Sequence, residues 1–155
     1  MIPLESSRLF GEHKMPKVYI FLSETCPICQ SSTLEIRRVR EAFPRVEFIG
    51  LFPGKDSDNK SREKFAKKYR LDFPMQGDSL RKWTKELKAT ITPEVVVVGA
   101  DQQVLYRGKI DNSFVSPGKK RTVVTEKYLY NALKAITLGE NHQPASTQPV
   151  GCFIE

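Results

Sequence analysis

The sequence predicts an α/β domain with a central mixed β-sheet flanked by helices, and three features carry that expectation. Val18-Tyr19-Ile20-Phe21-Leu22 is an unbroken apolar, β-rich run of the kind that forms a buried parallel strand. A helical pattern begins at Pro27, directly after a short link. Val95-Val96-Val97-Val98 and Val104-Leu105-Tyr106-Arg107, separated by Gly99-Ala100-Asp101-Gln102-Gln103, read as a hairpin.

The remaining elements follow from the same rules. Leu34, Ile36, Val39 and Phe43 give the first helix an amphipathic pattern, and Pro44 ends it. Residues 46–51 form a second strand, and 53–59 are a loop by composition. A basic helix over 61–69 carries Phe65, Ala66 and Tyr69 on one side. Residues 73–76 are extended, and Asp78 or Ser79 caps a helix running through Leu80, Trp83, Thr84 and Leu87. Residues 108–124 read as a loop. Tyr128, Leu129, Ala132, Leu133 and Ile136 then repeat at helical spacing to Gly139. Three units result: an arm or short edge strand over 1–15, one domain over 16–139, and a tail over 140–155 that packs on or near it.

Composition narrows the function. With 155 residues, 39% hydrophobic and 28% charged, the chain has core enough for one globular domain but not for two. The formal charge is +7, yet the basic residues, among them Arg37, Arg38, Arg40, Lys64, Lys67, Lys68, Lys85 and Lys88, are spread over solvated helix faces. No nucleic-acid module is visible, so no nucleic-acid partner is expected. No apolar run is long enough to span a membrane, and the first 16 residues lack the apolar core of a secretory leader.

Two of the three cysteines form Cys26-Pro27-Ile28-Cys29 at the expected helix start. Unpaired N–H groups and the positive end of the helix favour the Cys26 thiolate, which makes Cys26 the exposed attacking sulfur and Cys29 the resolving one. A zinc site would need two further ligands. His13, His142 and Cys152 are distant and show no ligand spacing, so no metal and no cofactor is expected. An inert buried pair is the bland alternative.

With the strand before it, Thr92-Pro93 downstream, the hairpin, the run Gly108-Lys109-Ile110-Asp111 and the ending Pro149-Val150-Gly151-Cys152, this motif resembles the thioredoxin-like redoxin superfamily over residues 16–154. Its exported thiol–disulfide oxidoreductase and peroxiredoxin-related branch is the nearer likeness. The resemblance implies a cis Pro93 facing the cysteines. It also implies a docking surface in which Thr92 offers its backbone to a client strand, with Thr25, Pro27 and Ile28 around it. It further implies protein thiol or disulfide clients, a separate redox partner, a monomer, and a periplasmic or other extracytoplasmic setting, with the cytoplasm as the alternative.

Three departures leave direction and potential open. Thr25 replaces the tryptophan before the first cysteine, Ile20 stands where thioredoxin has a buried aspartate, and Pro-Ile replaces Gly-Pro. A thiol peroxidase is the enzymatic rival, weakened because its Thr-x-x-Cys pattern is not kept: Thr25 adjoins Cys26 and Ser23 stands at the threonine position, with Arg107 as candidate partner. A non-catalytic adaptor or chaperone domain is the rival of a different class. Cys152 is an auxiliary redox centre, an intermolecular disulfide or a packed hydrophobe. Lys119, Lys120 and Arg121, with Lys109, are candidates for steering an acidic partner, or a solvated face.

Overall fold

The computed structural model describes residues 15–140 and 145–155. The expected arm, apart from Met15, lies outside the described residues, as do His13 and His142. Strand β1 (Lys17–Phe21) leads to helix α1 (Pro27–Ala42), and β2 (Glu47–Phe52) leads to α2 (Asn59–Tyr69). Then come β3 (Met75–Gly77), the short α3 (Lys82–Glu86), β4 (Ile91–Thr92), and the hairpin of β5 (Glu94–Val98) and β6 (Val104–Gly108). Strands β7 (Phe114–Ser116) and β8 (Lys119–Lys120) precede α4 (Tyr128–Thr137); β9 (Ala145–Ser146) and β10 (Cys152–Phe153) follow it.

The main sheet is mixed, in the order β3-β2-β1-β5-β6-β9. β1 runs parallel to β2 and antiparallel to β5, with Ile20 beside Gly50 on one side and Val95 on the other. Because successive strand residues point to opposite faces, β1 feeds two cores. Val18, Ile20 and Leu22 pack with Cys29, Ile36 and Val39 of α1 and Leu129 and Leu133 of α4. Tyr19 and Phe21 pack on the other face with Leu51, Val96 and Val98, covered by Trp83 and Leu87. Ile20, Phe21 and Leu22 are fully buried, each stabilising the fold by about 1.5–3 kcal/mol relative to exposure.

The structure corrects several local expectations. Leu34 is exposed, because it lies two residues and so roughly 200° around the helix from the buried Ile36. Helix α3 is shorter than its apolar spacing suggests, and Leu80 stands outside it, exposed. Asp78 nonetheless serves its N-terminus: the buried carboxylate accepts from the Trp83 N–H at 3.1 Å, the Thr84 N–H at 2.7 Å and the Thr84 hydroxyl at 2.7 Å. The stretch 108–124 contains the β7–β8 hairpin, whose short strands are too exposed to show apolar alternation.

The last residues form strands on two different edges. β9 runs parallel to β6, and Thr147 secures that join. Its N–H donates to the Arg107 carbonyl, and its hydroxyl accepts from the Lys109 N–H at 2.8 Å and bonds the Tyr106 hydroxyl at 2.7 Å. Gly108, at φ +130°, is where the backbones meet; a Cβ there would collide with the Thr147 carbonyl. β10 crosses to pair antiparallel with β4.

Candidate active site

Cys26 is the N-cap of α1, with extended backbone (φ −81°, ψ 117°) and Pro27 at the helix start. Its N–H donates to the Ser23 carbonyl at 3.3 Å, and its carbonyl accepts the Gln30 N–H at 3.0 Å. Strand β1 ends just before this turn, so the sheet sets the position of the sulfur and the proline sets its exit angle.

The structure pairs Cys26 with Cys152 in a disulfide, Cα–Cα 6.2 Å, and leaves Cys29 as a free thiol. The bond joins the N-cap of α1 to β10, whose Cys152 is in register with Thr92. Cys26 Sγ also lies 3.5 Å from the Thr92 carbonyl oxygen. Cys26 is consequently only 2% exposed, against the expectation of an open attacking sulfur: the tail strand covers it. Cys29 is wholly buried, and burial pushes its thiol up to about 12. Hydrogen bonds from the Ser23 backbone and the Thr92 side chain act against that rise, and the Glu24 charge adds to it.

The Thr92–Pro93 bond is cis. Thr92 faces β10 on its open side, and its hydroxyl lies 3.5 Å from the Cys152 carbonyl oxygen. Ile28 and Pro93 line a small cleft with Val150, Lys109 and Phe114, while Thr25 borders a larger cavity beside the disulfide. Pro27 is exposed at the surface.

The larger cavity, about 540 Å³, is open to solvent and holds residues with no distinctive local signal. Glu24 accepts hydrogen bonds from the hydroxyls of Ser57 at 2.7 Å and Ser61 at 2.6 Å, tying the β1–α1 turn to the start of α2. The capping box of Asp58 and Ser61, which holds that helix start, is a recognisable Asp-x-x-Ser pattern. Arg81 sits at φ +64°, a conformation uncommon for a residue with a side chain. Its guanidinium donates to the Pro53 carbonyl at 3.0 Å and to the main-chain oxygen of Glu155.

Lys119, Lys120 and Arg121 are exposed on or beside β8 and line neither of these clefts. Lys120 Nζ lies 6.0 Å from the Phe114 ring centre, and the Arg121 N–H donates to the Ser113 carbonyl at 2.6 Å. The cations at the large cavity are Lys55 and Arg81 instead. Arg107 is engaged elsewhere, on the Leu87 and Lys88 carbonyls and, at 3.7 Å, on the buried Glu94.

Comparison with known proteins agrees with this architecture. No curated protein matches the chain in sequence. Among solved structures, a conserved protein of uncharacterised role from Geobacillus kaustophilus is 22% identical (TM-score 0.75; 94% of this chain and 79% of that one). A hypothetical protein from Sinorhizobium meliloti is 19% identical (TM-score 0.76; 94% and 81%). A secreted Mycobacterium tuberculosis disulfide oxidoreductase homologous to E. coli DsbE is 21% identical (TM-score 0.59; 79% and 83%). These likenesses establish a thioredoxin-like fold. The sequence model of the redoxin family matches residues 6–119, most of the chain, and the protein belongs to that family.

Proposed function

We propose that this protein is a thiol–disulfide oxidoreductase that exchanges disulfides with protein clients, with Cys26 as the sulfur that bonds the client. The observation that carries this reading is the place of Cys26: at a helix N-terminus, beside the Thr92 edge, bonded to Cys152 and three residues from a second thiol. A helix N-terminus favours thiolate, so Cys26 is a good leaving group as well as a nucleophile once reduced.

In the oxidised protein a client thiolate attacks Cys26 Sγ. The Cys26–Cys152 bond breaks, its electron pair leaves on Cys152, which takes up a proton, and a client–Cys26 disulfide forms. A second client thiolate then attacks the client sulfur of that bond, releasing Cys26 as thiolate. The client is oxidised by two electrons and the protein reduced by two; the same steps in reverse reduce a client disulfide. Cys29 enters by attacking Cys26 Sγ itself, which exchanges the Cys26–Cys152 bond for a Cys26–Cys29 bond and frees the tail. The exchange needs no cofactor beyond these sulfurs, and a separate redox partner restores the starting state.

Disulfides persist in oxidising compartments, and the reading extends to an extracytoplasmic site of action, as in the secreted mycobacterial relative. Trapping tests the proposal. With Cys29 and Cys152 both replaced by serine, Cys26 is expected to accumulate stable mixed disulfides with client proteins, released by dithiothreitol and absent after Cys26→Ser. A double variant that captures nothing would sink the exchange cycle.

A further inference from the structure

We infer that β10 occupies the protein's own peptide-docking groove, and that the groove selects clients carrying glycine immediately before the reacting cysteine. This rests on the exchange reading above and adds to it a rule for the sequence of the client.

The tail is held as an extended strand by contacts that another peptide could make. Cys152 and Phe153 pair antiparallel with Thr92 and Ile91, and the Ile154 N–H donates to the Thr90 carbonyl at 3.0 Å. Arg81 binds a main-chain oxygen of Glu155, which asks nothing of that residue's side chain. An edge strand of two residues has one open side, so a client can use it only by displacing the tail. Thr147 is bonded to Arg107 and Lys109 at the β6 edge, an anchor that displacement of the residues after it does not have to break.

Side-chain demands differ from position to position along the tail. Val150 and Cys152 pack on the core that holds Cys29, and Ile154 packs on the opposite core beside Trp83. Phe153, between them, is 78% exposed, so the position after the cysteine is free to vary. The position before it is not. A Cβ on Gly151 would fall on the Thr92 carbonyl oxygen and lie 2.9 Å from Ile91 Cγ2. Those two groups belong to β4, not to the tail, so any strand docked in this register meets the same wall. Backbone cannot yield there as the end of a flexible side chain would.

The experiment uses the full chain carrying Cys29→Ser, oxidised so that Cys26–Cys152 is its disulfide. It is mixed with peptide thiols of sequence Val-Gly-Cys-Phe-Ile, Val-Ala-Cys-Phe-Ile and Val-Val-Cys-Phe-Ile, and with 2-mercaptoethanol. Each thiolate attacks Cys26 Sγ, forms a mixed disulfide and releases Cys152 as a thiol; mass spectrometry reads the product and digestion maps it. At equilibrium, where released tail and peptide compete for the groove, the glycine peptide is expected to hold at least tenfold more protein as mixed disulfide than the valine peptide, with alanine between, after scaling to 2-mercaptoethanol. Equal peptide yields, adducts mapped to Cys152, or reaction with 2-mercaptoethanol alone would overturn the groove while leaving exchange standing. No adduct from any thiol would instead remove the exchange reading on which it rests. Independently, Gly151→Val in the otherwise natural, reduced chain is expected to speed alkylation of Cys26 at least tenfold, whereas Phe153→Ala leaves it within twofold. Equal protection of Cys26 in both variants would overturn the constraint at position 151.

Discussion

Cys152 lies directly opposite Thr92 across an antiparallel strand pair, although 60 positions separate them in the chain. That pairing delivers the third cysteine to Cys26 and closes the site over it. The tail thus covers Cys26 through both the disulfide and the strand pairing that carries it.

The bond spans 126 positions, so its removal lengthens the free unfolded chain considerably. Oxidised protein is expected to be more stable than Cys152→Ser by about 2–4 kcal/mol in urea unfolding. Fully reduced wild type should match the variant to within about 1 kcal/mol, a typical single hydrogen-bond contribution. A reduced wild type that keeps the full difference would place the effect in packing instead.

Cys29 makes stability depend on alkaline pH. Its folded thiol is raised from 9.0 to about 12 by burial, so above pH 9 the unfolded chain loses a proton that the folded chain keeps. The contribution is complete below pH 9 and is lost as pH climbs towards 12. Comparing wild type with Cys29→Ser in urea at pH 7, 9 and 10.5 isolates the thiol. The difference between the two should be level up to pH 9 and move against wild type at 10.5; a flat difference throughout would show the thiol to be unperturbed.

Arg81→Gly preserves the positive φ that the backbone needs and removes the guanidinium from Pro53 and Glu155. Alkylation of Cys26 in the reduced variant is expected to rise several-fold, with a change in stability of no more than about 1 kcal/mol. Arg81→Ala should raise reactivity similarly but lose more stability, because alanine resists the left-handed conformation. Unchanged alkylation in both variants would show that Arg81 does not hold the tail.

Asp78→Ala withdraws three hydrogen bonds from the start of α3 within a buried setting. A loss of about 1–3 kcal/mol is expected from urea titration, in line with cap and buried-acceptor losses. Asp78→Asn keeps one acceptor oxygen and should recover part of it. If asparagine costs as much as alanine, the charge matters more than the geometry.

What was legible in the chain was legible locally. The unbroken apolar run before Cys26, Pro27 at a helix start, Pro44 at its end and the valine hairpin each act within one or two turns of their own position. Their places in the structure differ from the expected ones by a residue or so. Helix α3 was harder: Asp78 does receive its first amides, but across an Arg81 that leaves the helical path, which no periodicity announces. Strands of two residues, such as β8 and β10, bury too little to leave an alternation.

The candidate site divides along the same line. Local pattern is enough to place a Cys-Pro-Ile-Cys segment at a helix start after a central strand, and Thr92-Pro93 ahead of the hairpin. Which sulfur Cys26 bonds is set by long-range packing, since three cysteines offer more than one pairing and spacing favours Cys29. The deciding contacts are long-range: Thr147 holds the tail on β6, Gly151 fits against Thr92, and Ile154 finds the face beside Trp83. Those contacts lay Cys152 across Cys26 and leave Cys29 sealed beneath it, because strand pairing and apolar burial act between residues that no local pattern can connect.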